Sequence, residues 1–268
     1  MLLLLGLATV LTCLAMAIVW VAAVRIRNAG IVDIAWSLSF APLAWLYAWL
    51  GGGDRQRTWL VAGMVTLWSL RLGGYLCRRI AGHHPVEDTR YQQLRRDWAP
   101  NADRRFFWFF QAQALAAVFF SLPFVIVSVN PAPGLGFFEW TGAALWAIGL
   151  AGEATADWQL ARFKADPTTG GRTCERGLWY YSRHPNYFFE WVIWCGYAVV
   201  ALGSPFGWLA TLSPLSMLYL LFKVTGIPAT EAAALRRRGD DYRHYQATTS
   251  VFVPWFKRRS RAPITSSH

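Results

Sequence analysis

Residues Gly177–Glu190 read GLWYYSRHPNYFFE, and Arg183, His184 and Asn186 there abut a long apolar run. Polar groups at such a border are costly to bury without partners. The segment reads either as a basic patch beside a membrane or as a cofactor pocket at the membrane surface. Upstream, Glu153 and Asp157 are four residues apart, and Lys164 follows seven residues after Asp157. That spacing puts all three on one helix face. They form either a polar groove or a salt-bridged helix end. The stretch from Phe163 to Asn186 then breaks at Pro167 and at Gly170-Gly171, and carries Lys164, Arg172 and Arg183. Cations around a donor-rich loop suit phosphate groups. No GxGxxG follows a strand and no P-loop is present, so a nucleotide must be held by a site of another kind.

A second group of ionisable residues, Asp33 and Arg71, falls within apolar runs. Each would cost roughly 2.5–3.5 kcal/mol facing lipid, so they face a protein interior or a wet cavity. They are either a pair that joins two helices or a polar wall around a substrate.

The elements that position these groups are hydrophobic. Of 268 residues, 55% are hydrophobic and 15% charged, and mean hydropathy is +0.27. Apolar residues come in blocks of about twenty, enough to span a bilayer as helix. The reading is an all-α polytopic membrane protein with seven transmembrane helices, forming a single domain over 1–268. The spans run Met1–Val24, Ile31–Leu50, Trp59–Ile80, Phe106–Val129, Phe137–Leu160, Tyr187–Leu202 and Phe206–Thr225. The N-terminal run lacks a basic leader and is too long for a signal peptide core, so it counts as the first span. Sixteen Trp and ten Tyr suit interfacial belts.

Lys and Arg number 26 against 15 Asp and Glu, a net charge of +11. The basic residues lie in the loops 25–30, 81–105 and 161–186 and in the C-terminal tail, whereas the opposite side holds Arg55 and Arg57. The positive-inside rule therefore puts the N-terminus outside and the C-terminus and large loops in the cytosol. Topology accounts for the charge, and no nucleic-acid partner is expected. Cys13, Cys77, Cys174 and Cys195 form no CxxC pair, and His83, His84, His184, His244 and His268 have no metal-ligand spacing. No disulfide framework and no metal site are expected.

The chain resembles the bacterial branch of the membrane steroid 5-alpha-reductase family. The cues are VDIAW at Val32–Trp36, EDTRY at Glu87–Tyr91, the GLWYYSRHPNYFFE block, Gly226-Ile227-Pro228 followed by Glu231, and the ending from Tyr242 to SVFVPW. Similar RHPxY segments occur in isoprenylcysteine carboxyl methyltransferases and in the sterol C14 and C7 reductases. The resemblance implies seven helices, NADPH bound from the cytosolic side, and reduction of a carbon–carbon double bond conjugated to a ketone. It implies a cofactor set of Glu153, Asp157, Lys164, Arg172, Arg183, His184, Asn186, Tyr187, Glu190, Glu231, Tyr242 and Tyr245. It divides the chain into a substrate side, 1–135, a cofactor-binding half, 136–257, and a basic tail, 258–268.

At the substrate end, the resemblance implies an acid on the second helix and a Tyr on the third contacting the ketone. Asp33 matches the first position and Trp68 the second. A Trp cannot donate a phenolic proton, so Tyr75 stands in, one turn beyond Arg71. The catalytic set is thus Asp33, Arg71 and Tyr75, with a protonated Asp33 polarising the carbonyl. The expected partners are a steroid-like lipophilic enone and the lipid bilayer, with no obligatory protein partner. The expected location is the bacterial inner membrane. Two rival readings are an S-adenosylmethionine-dependent methyltransferase of an isoprenyl or lipid substrate and a non-enzymatic lipid-binding scaffold. S-adenosylmethionine carries no phosphate and leaves the cationic loop unexplained. A scaffold has no use for acids inside its spans.

Overall fold

A computed structural model describes residues 1–82, 85–224 and 226–257. The expected basic tail 258–268, with His268, lies outside the described residues, as do His83, His84 and Thr225. The described residues are helical and contain no strand; Ser182 and Ser250 make one isolated bridge. The helices are α1 (Leu2–Ile26), α2 (Ile31–Leu50), α3 (Arg55–Ala81), α4 (Thr89–Asp97), α5 (Ala102–Phe120), α6 (Leu122–Ser128), α7 (Phe137–Ala165), α8 (Leu178–Tyr181), α9 (Pro185–Leu202), α10 (Leu212–Lys223), α11 (Ile227–Arg238) and α12 (Asp240–Thr248).

Among the described residues, four segments are long and apolar enough to cross a membrane: α1, α2, α3 and Gly207–Arg238. Counting the bent pair α5–α6 as one span makes five. The expected count of seven thus exceeds what length and hydropathy alone support. The fifth and sixth expected spans fall on the helices α7 and α9, whose hydropathy acids dilute: Glu139, Glu153 and Asp157 on α7, Glu190 on α9. The fourth expected span breaks at Ser121 with a 43° bend. Pro123, in the first turn of α6, cannot donate back along the ladder and forces the break there.

The chain forms two compact units: Met1–Ala143 with Tyr197–Ser213, and Ala144–Gly196 with Pro214–His268. In the first, α2 packs along α3, and α1 packs against α5 and α2. The α2–α3 seam is close because Gly73 lies there. A Cβ on it would come within 2.4 Å of Leu38 Cδ2, and Ser69 Oγ donates to the Ser37 carbonyl at 2.6 Å beside it. Small residues let backbones approach and hydroxyls bond across helices where no hydrophobic drive favours contact. Leu3, Leu7, Val10, Leu14 and Ile18 of α1 are exposed, as side chains that meet lipid are.

At one end of this unit, Arg57 and Glu139 form a buried ion pair, Nε to Oε1 at 2.6 Å, with side chains 5% and 3% exposed. Arg57 also donates to the carbonyls of Ala132 and Gly134, both at 2.8 Å. Glu139 Oε2 accepts from the Gly136 amide at 2.8 Å.

In the second unit, α7 and α9 meet at glycines. A Cβ on Gly149 would come 2.8 Å from Ile193, and one on Gly152 would come 2.3 Å from Phe189. Phe252 of the tail is buried against the rings of Phe188, Trp191 and Phe222. This contact explains why an aromatic ending follows α12: the rings fasten the tail to α9 and α10.

Candidate functional site

The second unit contains every residue expected to hold the cofactor. After α7 the chain turns at Asp166, whose carboxylate accepts from the Thr168 amide at 2.9 Å and starts a short turn at Pro167–Thr169. Gly171 and Gly177 have φ of +77° and +59°. Gly177 is confined as well as left-handed: a Cβ there would come 2.4 Å from the Gln159 amide nitrogen. Gln159 Oε1 accepts from the Leu178 amide at 2.8 Å and so starts α8. Lys164 and Arg172 are exposed along this turn.

The RHPN segment follows. Ser182 Oγ donates to the Phe252 carbonyl at 2.7 Å and accepts from the His184 amide at 3.1 Å. Asn186 Nδ2 donates to Asp157 Oδ1 at 3.3 Å, bringing two of the expected residues together from α9 and α7. Glu190 Oε1 accepts from Trp194 Nε1 at 2.8 Å. The His184 and Tyr187 rings stack with centroids 5.4 Å apart, and the Tyr187 hydroxyl bonds Thr230 at 3.2 Å. Glu153 is buried on α7, one turn before Asp157.

Glu231 organises the rest. It accepts from Arg183 Nε at 2.7 Å and from Gln246 at 2.9 Å, and His184 Nε2 lies 3.3 Å away. Arg183 also donates to the carbonyls of Gln246 and Thr249, at 2.7 and 3.2 Å. The Tyr245 hydroxyl donates to the carbonyl of Ser182 at 3.0 Å and to that of Trp179. Burial pushes the Tyr242 phenol up to about 12 and raises Tyr245 further, so both are neutral donors at ordinary pH.

Arg183, Glu231 and Tyr245 therefore form a frame joining α12 and the tail to the RHPN turn. Arg183, grouped by sequence with the loop cations, is engaged with Glu231. Lys164 at the end of α7, and Arg172 and Arg176 between α7 and α8, are exposed. Sequence reasoning missed two further ties to this turn: Thr173 donates to Asp241 from its amide at 2.7 Å and from its hydroxyl, and Lys257 pairs with Glu175. Only the acid at the start of α12, two residues into it, hints at the first.

The first unit contains Asp33, Arg71 and Tyr75. Asp33 is in the first turn of α2, its side chain 36% exposed. Arg71 and Tyr75 lie one turn apart on α3; Tyr75 is exposed, and Trp68 is fully buried. The contacts of Asp33 come from the EDTRY segment. The Tyr91 hydroxyl donates to Oδ1 at 2.6 Å, and Arg90 Nη2 lies 3.1 Å from Oδ1 and 3.4 Å from Oδ2. Arg90 Nη2 also donates to the Tyr91 hydroxyl, and its guanidinium sits 4.6 Å from the Tyr91 ring centroid. Burial, and then the neighbouring Asp33 carboxylate, raises the Tyr91 phenol well above its ordinary value.

The rest of EDTRY anchors the cluster. Asp88 caps α4, accepting from the Arg90 amide at 3.0 Å, and pairs with Arg79. Glu87, buried, accepts from the Ala29 amide at 2.7 Å and from Arg95 at 3.0 Å. Residues 87–91 thus clasp the start of α2. In the sequence EDTRY served only as a cue to the family, and its link to Asp33, 57 residues away from Arg90, was not legible.

The family model described as a protein of unknown function, DUF1295, matches residues 19–249. A stretch of 68 residues is 41% identical to 3-oxo-5-alpha-steroid 4-dehydrogenase 1 of Bos taurus, covering 25% of this chain and 26% of that protein. The match thus spans about a quarter of the relative's length. No solved structure matches the chain.

Proposed function

The chain belongs to the DUF1295 family, which is steroid 5-alpha-reductase-like, and from this we propose that it reduces a carbon–carbon double bond conjugated to a ketone in a lipophilic, steroid-like substrate, using NADPH. The observation that carries this reading is the cationic turn of the second unit. Lys164 and Arg172 stand exposed on it, next in the chain to helices that pair Asp157 with Asn186. The residues fit the cofactor. Cations suit its phosphates, and the carboxylates and amide of Asp157, Asn186 and Glu190 suit its ribose hydroxyls and carboxamide.

We assign residues 136–257 to the cofactor and 1–135 to the substrate. In this assignment Lys164 and Arg172 hold phosphate. Glu153, Asp157, Asn186, Tyr187 and Glu190 orient the rest. Arg183, His184, Glu231, Tyr242 and Tyr245 build the frame that keeps the turn closed. Seven spans, with the cofactor side and the C-terminus in the cytosol of a bacterial inner membrane, agree with the placement of the basic loops.

Bound NADPH supplies the hydride that reduces the β carbon of the enone. The protein must then stabilise the negative charge that develops on the substrate oxygen until water protonates the α carbon. That task falls to the Asp33 cluster, with Arg71 and Tyr75 on the neighbouring helix. Acids and cations retained in apolar segments support a polar site of this kind.

Thermal stabilisation of the detergent-purified chain tests the cofactor assignment. NADPH is expected to raise the melting temperature more than NADH at equal concentration, because a ligand that binds only the folded state stabilises it by mass action. Stabilisation by S-adenosylmethionine and not by NADPH would replace the reductase with a methyltransferase.

A further inference from the structure

We propose that Arg90 is the hydrogen-bond donor to the substrate carbonyl, and that Asp33 and Tyr91 are positioning residues that aim its guanidinium. The proposal rests on the reductase reading and names the group that meets the substrate oxygen.

An acid that polarises a ketone must present a proton to it. Asp33 is instead surrounded by donors: Oδ1 accepts from the Tyr91 hydroxyl at 2.6 Å and from Arg90 Nη2 at 3.1 Å, and Oδ2 lies 3.4 Å from the same nitrogen. An ionised carboxylate is acceptor-only, and these two contacts use it as one. The single proton of the Tyr91 phenol is directed at Asp33, and the residue is buried in the core formed with Val32, Phe106 and Phe110. Tyr91 is therefore not placed to reach a substrate.

Arg90 differs on each count. Its guanidinium has five N–H donors in a fixed plane. Nη2 is occupied by Asp33 and Tyr91, and the plane is held near the Tyr91 ring at 4.6 Å. Among the described residues Nε and Nη1 donate to no protein atom, and the side chain is half exposed, 50%. Nη2 is fixed, and the separate Nε–H and Nη1–H donors are open. A cation fixed in this way stabilises charge developing on an enolate oxygen without having to reorganise. Asp33 supplies the counter-charge that keeps the cation in place, and the Asp88 cap fixes the backbone of Arg90 from behind.

The carbonyl stretching frequency of a bound 3-oxo-Δ4-steroid, measured by infrared difference spectroscopy on the purified full chain, tests this without any cofactor. In the wild type the stretch should move to lower frequency than in detergent alone. Arg90→Gln should abolish the displacement. Asp33→Asn, which keeps an oxygen for Arg90 to grip, should retain part of it. With NADPH added, Arg90→Gln should lower kcat by roughly 10²–10³-fold, the cost of removing one oxyanion donor, with NADPH affinity unchanged. A wild-type displacement in Arg90→Gln, or its loss in Asp33→Asn alone, would overturn the proposal and return the donor to Asp33. No displacement in the wild type would also overturn it. If Arg90→Gln does not fold, Arg90→Lys serves: a point charge without the planar fork should give a smaller displacement, and a full one counts against the proposal. Carbonyl displacement without NADPH oxidation by the wild type would refute reduction and leave the carbonyl site standing.

Discussion

Glu139→Leu is expected to destabilise the protein by about 3–5 kcal/mol, the typical cost of removing one partner of a buried ion pair. Arg57 and Glu139 are both almost wholly buried and 2.6 Å apart. Losing the carboxylate leaves the guanidinium buried with only the carbonyls of Ala132 and Gly134 and a longer contact to Asn130 at 3.5 Å. The Gly136 amide loses its acceptor in the same step. Removing both charges in Arg57→Leu/Glu139→Leu should cost less than the sum of the single changes, because no uncompensated charge then remains. Denaturant unfolding in detergent measures both. A single-variant loss below about 1 kcal/mol, the range of an exposed pair, would show that water reaches the site.

Arg172→Ala and Asn186→Ala should each weaken NADPH binding by roughly ten- to hundredfold, the equivalent of one charge-assisted hydrogen bond of about 1.5–3 kcal/mol. The two should differ in kind. Arg172 is an exposed cation on the turn, so its loss should narrow the preference for NADPH over NADH. Asn186 is held by Asp157 at 3.3 Å on the first turn of α9, so its loss should weaken both nucleotides equally. Titration calorimetry with each nucleotide separates these patterns. Unchanged NADPH affinity in both folded variants would remove this region from the cofactor site.

Much of the helical frame was legible because apolar runs announce themselves. The expected span Ile31–Leu50 coincides with α2, and Phe137 and Leu202 are helix ends both in the expectation and in the structure. The break at Ser121 was hidden inside one apolar run, since Pro123 within a hydrophobic stretch changes its geometry and not its polarity. Long-range pairs were not legible at all. Arg57 reads as a loop charge until Glu139, 82 residues on, is brought against it. Arg183 reads as a phosphate ligand because it follows a glycine-containing turn, and only the fold supplies Glu231, 48 residues away. Asp33 was found from its cost in an apolar helix, but the groups that decide what it can do, Arg90 and Tyr91, lie on α4.

Deuterium transfer from NADPH carrying deuterium at both C4 positions of the nicotinamide to a 3-oxo-Δ4-steroid, followed by mass analysis of the product in a single turnover, tests the central claim. Reduction by this chain predicts a saturated ketone carrying one deuterium at the former β carbon, formed only with the nucleotide present. Recovery of unreduced steroid from an NADPH-loaded, folded protein, or product without the label, would contradict it.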